Sequence, residues 1–177
     1  VVPGTKFQNT MTIGILSDTH GSLPADWWNH FDEVDEIWHA GDVGDMHVVN
    51  ELQSRKPLRA VYGNVDGHDI RSLFPESLLF TCCGLTIWMI HIGSYPPRYT
   101  PEIRVLLDVY HPDIFICGHS HILKIIPDPA RKLLHINPGA AGMQGWHHVR
   151  TAVKLYLQPG KIERAEVIEW PRTVLKK

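Results

Sequence analysis

The chain has 177 residues, 44% of them hydrophobic and 20% charged, with a formal net charge of −2. This is the make-up of an ordinary soluble globular protein, and it gives no electrostatic basis for a nucleic-acid-binding surface, which is usually clearly basic. No apolar stretch approaches the roughly 18 residues of a membrane span, so no membrane association is expected.

Val1–Thr10 lacks the apolar core and basic flank of a signal peptide. It is read as an N-terminal extension ahead of a single domain over residues 11–177. A first strand at Thr12–Leu16 runs into the polar turn Asp18-Thr19-His20-Gly21, and a short helix is expected over Ala25–Phe31 with Pro24 in its first turn. A strand at Glu36–Ala40, a helix at Met46–Arg55 and a strand at Leu58–Tyr62 complete a β-α-β-α-β opening, which predicts mostly parallel pairing. Val65-Asp66-Gly67-His68-Asp69 reads as a turn. Ser77–Cys83 and Leu85–His91, meeting at Gly84, predict an antiparallel hairpin. A helix over Pro101–Tyr110 leads to a strand at Asp113–Cys117. Strands at Ile122–Pro127 and Lys132–Ile136, then a hairpin of Val149–Leu157 and Lys161–Glu169, close the chain. So many strands overfill one layer. The expected fold class is α/β, with two sheets packed face to face and helices outside.

Three cysteines, two of them the adjacent Cys82 and Cys83, fit neither a disulfide framework nor a zinc cluster. They point to a reducing, cytoplasmic setting.

The chemistry is carried by polar motifs that directly follow apolar runs: Asp18-Thr19-His20, Gly41-Asp42, Gly63-Asn64, His91 and Gly118-His119-Ser120-His121. Ligands in sheet proteins with helical crossovers bind just outside the carboxyl ends of strands. Five strand ends thus bring carboxylate, imidazole and amide oxygen to one place. Residues two apart in extended chain point the same way, so Asp18 and His20 can reach one ion, and His119 and His121 can do likewise. Two divalent ions about 3.5–4 Å apart need a bridging anion, and together they lower the pKa of bound water. Mixed nitrogen and oxygen ligands favour manganese, iron, cobalt, nickel or zinc over calcium or magnesium. The pattern is that of a two-metal hydrolase.

The ordered set Asp18-x-His20, Gly41-Asp42, Gly63-Asn64-x-Asp66, His91 and Gly118-His119-x-His121 resembles the calcineurin-like metallophosphoesterases. Within them it is most similar to the small single-domain phosphodiesterases related to the retromer subunit Vps29, over roughly Met11 to Gly142, and Asn137-Pro138-Gly139 fits the same group. The resemblance implies a four-layer αββα sandwich with two mixed sheets. It implies Asp18, His20 and His121 on one metal, Asn64, His91 and His119 on a second, and Asp42 bridging both. Asp42, Asn64 and His119 are the expected catalytic residues, and manganese is the first choice of ion. Val65 stands where many members carry a histidine after the asparagine, and Ile92 where close relatives often have glycine. The missing histidine implies a diesterase with a preference for good leaving groups, since acid–base help of that kind is worth roughly 10²–10⁴-fold. His68 is a candidate substitute for that imidazole, and Arg98, in Ser94-Tyr95-Pro96-Pro97-Arg98-Tyr99, a candidate phosphate contact. Asn64, His68 and Arg98 are therefore the expected substrate contacts, and the expected partner is a small phosphate diester. A homo-oligomer is compatible with this reading because dimers are common in such families. The alternative is a protein-interaction scaffold of the Vps29 kind on the same fold.

Overall fold

A computed structural model describes residues 10–172. All of Val1–Thr10 except Thr10 lies outside them. The elements are β1 (Met11–Leu16), α1 (Trp27–Phe31), β2 (Glu36–His39), α2 (Met46–Arg55), β3 (Leu58–Ala60), α3 (His68–Leu73), β4 (Ser77–Cys82) and β5 (Leu85–Ile90). They continue with α4 (Pro101–Tyr110), β6 (Ile114–Ile116), β7 (Leu123–Asp128), β8 (Leu133–Pro138), β9 (Val149–Gln158) and β10 (Lys161–Pro171). Two five-stranded mixed sheets form, ordered β10-β9-β1-β2-β3 and β4-β5-β6-β8-β7. The β1-β2-β3 and β5-β6-β8 runs are parallel. Their carboxyl ends face the same rim of the molecule, where loops of both sheets bond to one another.

Strand alternation sorts the side chains into three cores. Ile13, Ile15 and Trp38 from the first sheet meet Ile87, Met89, Ile114, Ile116 and Ile136 from the second in the inter-sheet core. Leu16, Ile37, Phe31, Val48, Val49, Leu52 and Ile70 pack the first sheet beneath α1, α2 and α3. Trp88, Phe115, Ile103 and Leu107 pack the second beneath α4. Helices outside two facing sheets make the four-layer αββα sandwich. Gly14 sets the closeness of the first layer: a Cβ there would stand 2.0 Å from the Phe31 ring.

Helix ends follow their side chains. Asp45 accepts the His47 N–H to start α2 (2.8 Å), and Thr100 with Pro101 starts α4. Asp26, ahead of α1, makes no side-chain cap, and the helix begins at Trp27, two residues later than expected. The segment after Asn64 departs more. It contains α3, where the sequence predicts only a turn. Ile70 is the sole buried residue of that helix, so no apolar stripe announces it. No helix among the described residues is long and apolar enough to cross a membrane.

His135 on β8 is fully buried against Phe115, with ring centroids 5.5 Å apart, and its Nδ1 has no hydrogen-bond partner. Burial pushes its pKa down to about 4. The unfolded chain, near 6.5, therefore takes up the proton first, and stability should fall as pH drops below about 6.5 toward 4. Between pH 7 and pH 5 this histidine should account for about 2 kcal/mol of lost stability, given 1.36 kcal/mol per pKa unit. Urea melts of His135→Phe should show a correspondingly shallower acid loss. Unchanged pH dependence would refute the assignment. His39, also pushed to about 4 by burial, should retain its share in that variant.

Candidate metal centre

Asp18 follows β1 and is fully buried. Its Oδ2 accepts the Ser17 hydroxyl (2.6 Å) and the His119 N–H (3.0 Å), which fixes the carboxylate and ties the two sheets together. Its Oδ1 has no hydrogen bond, with His121 Nε2 at 3.2 Å and His20 Nε2 at 3.9 Å. The His20 and His121 Nε2 atoms are themselves 3.2 Å apart. Asp42, after β2, accepts the Val65 N–H on Oδ1 (3.0 Å) and presents Oδ2 to His91 Nε2 (3.2 Å) and His20 Nε2 (3.9 Å). Asp18-His20-His121 and Asp42-His91-His119 each converge as potential ligand groups, and Asp42 faces both. Asn64 Oδ1 lies 3.1 Å from His91 Nε2. All seven residues expected as metal ligands thus meet at one rim, and each group draws on both sheets.

The donor atoms fit cations. His91 Nδ1 lies 2.8 Å from the Ala40 carbonyl, which can only accept, so Nδ1 carries the ring proton and Nε2 is left with its lone pair. That lone pair faces only oxygen acceptors, from Asn64, Asp42 and, at 4.0 Å, Asp18. An orphaned buried carboxylate oxygen and a nitrogen aimed at oxygens are costly alone and are relieved by a positive ion. Protonation answers the same need. Although burial opposes it, the Asp42 hydrogen bond and the Asp18 charge hold the His91 imidazole above its ordinary value. Against its own burial, Asp42 is held low by His91 and the Val65 N–H, and the Asp18 carboxylate raises His121. Burial lowers His20.

The backbone is bent to present these groups. Asp18, His20, Asp42, His119 and His121 all adopt positive φ, between 45° and 68°. Non-glycine residues tolerate that region only when neighbours enforce it, at a cost of order 1 kcal/mol or more each. The enforcement is visible. Asp66 accepts Gly44 N–H and Gly63 N–H, both at 2.8 Å, joining the two loops of the first sheet. Asn137 donates to Gly118 O (2.8 Å) and Ser120 Oγ (3.0 Å) behind the His119-His121 turn. His39 accepts the Gly41 N–H and bonds Thr19, whose hydroxyl donates to Val43 O.

Arg71, which the sequence reading passed over, reaches back from α3 to Asp66 O (2.6 Å), Gly63 O and Asn64 O (both 3.2 Å), stacked over Tyr62. His147 is also drawn to the site. It packs its ring against His121 (5.4 Å) and reaches the Gly142 carbonyl at 3.0 Å. Neither residue lies within a recognisable motif. The structure does not bring His68 or Arg98 to the clefts beside the ligands. His68 starts α3, bonds Ser72 and lines a separate depression with Gly44, Asp45 and Met46. Arg98 is exposed, and its backbone N–H closes a turn on Tyr95 O. Val65 and Ile92 are exposed beside the asparagine loop and His91, at 49% and 50%. Ile92, with Tyr62, Asn64, Arg71 and His91, lines an open cleft of about 260 Å³.

The motif glycine before Asn64 has a strict steric role. A Cβ on Gly63 would lie 2.1 Å from Asp42 Oδ1 and 2.4 Å from Asp42 N. Gly63→Ala should displace the Asp42 carboxylate, lower metal-dependent turnover by about 100-fold or more and destabilise the fold by roughly 1–3 kcal/mol. Steady-state rates with metal titration check this, and near-normal turnover would show that Asp42 is free to move.

Sequence comparison agrees with this geometry. The profile of the "Calcineurin-like phosphoesterase superfamily domain" matches residues 11–160. A "probable metallophosphoesterase" of Methanothermobacter thermautotrophicus is 32% identical over 138 residues, 73% of this chain and 77% of that protein. A "phosphodiesterase" of Methanocaldococcus jannaschii is 27% identical over 145 residues, 73% of this chain and 83% of that protein. Vacuolar protein sorting 29 of Cryptosporidium parvum superposes with a TM-score of 0.72 at 18% identity, over 92% of this chain and 99% of its own, a likeness of fold alone. A profile match over most of the chain, on a fold whose rim gathers the whole ordered set of donors, places the protein in the calcineurin-like phosphoesterase superfamily.

Proposed function

We propose that the protein is a metal-dependent phosphodiesterase with a dinuclear centre. The observation that carries this is the pair of converging ligand groups sharing the Asp42 carboxylate between them. Asp18, His20 and His121 would hold one divalent ion, His91, His119 and Asn64 a second, with Asp42 common to both. Such ions acidify water and neutralise phosphate charge when bound. The chain's own part is positional. Asp18 and Asp42, fixed by backbone N–H groups, supply negative charge at set points. Asn64, whose Oδ1 lies beside His91 Nε2 at 3.1 Å and would turn to the ion, keeps its amide donors for a phosphate oxygen. His119 is exposed and lines the cleft beside His121. Val65 cannot give a proton to a departing alkoxide, which favours diesters with good leaving groups.

The test is hydrolysis of bis(4-nitrophenyl) phosphate by metal-stripped protein, with and without manganese. Manganese-dependent turnover is expected. Folded protein that stays inactive with manganese, cobalt, nickel, zinc and iron would overturn the proposal. That outcome would favour the second reading, a protein-interaction platform, for which α4 offers Val105 and Val109 exposed one turn apart.

A further inference from the structure

A second cleft opens from the other side of the ligand groups, about 490 Å³ in volume, lined by His119, His121, Ile122, Gly145, Trp146 and His147. That is within the roughly 300–1,000 Å³ usual for small-molecule sites. Trp146 is 97% exposed and Ile122 56% exposed. An indole so fully in water gains nothing for the fold. Nor is it on a loose loop. Arg172 grips the carbonyls on either side of it, Gly145 O and His147 O, both at 2.8 Å. Gly145 presses the loop against the site, since a Cβ there would stand 2.3 Å from His121 Nδ1. His147 packs edge-on against His121 and lines the same cleft as Trp146. The result is an indole on a tethered backbone, open to water beside the atoms that would meet a phosphate.

We propose that Trp146 is the stacking platform for a nucleobase, so that the substrates are phosphodiesters bearing a nucleoside. This rests on the phosphodiesterase reading above and names its substrate class. The phosphate meets the ligand groups, and the attached base lies across the indole with Ile122 at its edge. Every base has a π-face, so the platform selects for a base without reading which one.

The test compares two strained cyclic diesters with the same reacting group, 2′,3′-cyclic AMP and glycerol 1,2-cyclic phosphate, using manganese-loaded protein. Trp146→Ala should lower kcat/KM for the adenosine ester by about tenfold, mainly through KM. The base-free ester, which does not reach the indole, should change less than twofold, and Trp146→Phe should restore most of the loss. A separate readout is quenching of tryptophan emission by adenosine 5′-monophosphate, present in the native chain and lost in Trp146→Phe. Equal effects of Trp146→Ala on both esters would overturn the platform while leaving the hydrolase intact. Quenching without turnover of either ester would support the platform and overturn the hydrolase. Neither discrimination nor quenching would overturn the proposal.

Discussion

Asp42→Ala should reduce metal-dependent diester turnover by about 10³-fold or more and lower the number of ions retained after desalting. The size follows from position. Like Asp18 Oδ1, which lies 3.2 Å from His121 Nε2 and 4.0 Å from His91 Nε2, Asp42 Oδ2 lies near histidines of both groups, 3.2 Å from His91 Nε2 and 3.9 Å from His20 Nε2. Its loss removes negative charge from between two sites at once and frees the Val65 N–H that its Oδ1 engages. Asp42→Asn keeps that N–H bond and the shape but not the charge. It should lie close to alanine in rate and close to native in thermal stability. Steady-state kinetics with metal analysis by mass spectrometry checks both variants. Activity within tenfold of native for Asp42→Ala would remove the shared-carboxylate geometry from the mechanism.

Divalent ions should stabilise the fold strongly. Asp18 Oδ1 is buried with histidine nitrogens around it but no hydrogen bond, and five ligand residues hold left-handed backbone. A ligand that binds only the folded state adds about 2.7 kcal/mol at 100 times its Kd. For a chain of this length that should raise Tm by roughly 5–10 °C per saturated site. Differential scanning fluorimetry of chelator-treated protein titrated with manganese measures it without any substrate. The share of the Asp18-His20-His121 group should disappear in Asp18→Ala. A flat Tm for every borderline ion would show that the donors close on themselves instead.

The site was legible in the sequence to the extent that it sits at strand ends. Asp18, Asp42, Asn64, His91 and the His119-His121 pair each follow an apolar run, and parallel pairing sends those ends to one rim. Both sheets could be read too, because so many short apolar runs overfill one layer. Arg71 could not be found this way. It lies on a helix with one buried residue and acts on backbone carbonyls, which leaves no pattern in side-chain type. His68 was favoured for nearness to Asn64 along the chain, but α3 begins there and sets it beside Asp45 instead. Trp146 and His147 belong to a loop brought to the site by the long β8–β9 connection, a contact of high sequence separation that no local rule predicts.

Neither sheet owns a complete ligand group. Asp18, His20 and Asp42 belong to the first, and His91, His119 and His121 to the second. The distance between ions held by the two groups would therefore gauge how the two halves of the sandwich sit on each other. A methyl group lost from Ile116 or Met89 deep in the shared core, far from any phosphate, would be felt as a change in ion spacing before it was felt as a loss of shape. Catalytic rate in this fold should consequently report on core packing as faithfully as it reports on the residues that touch the substrate.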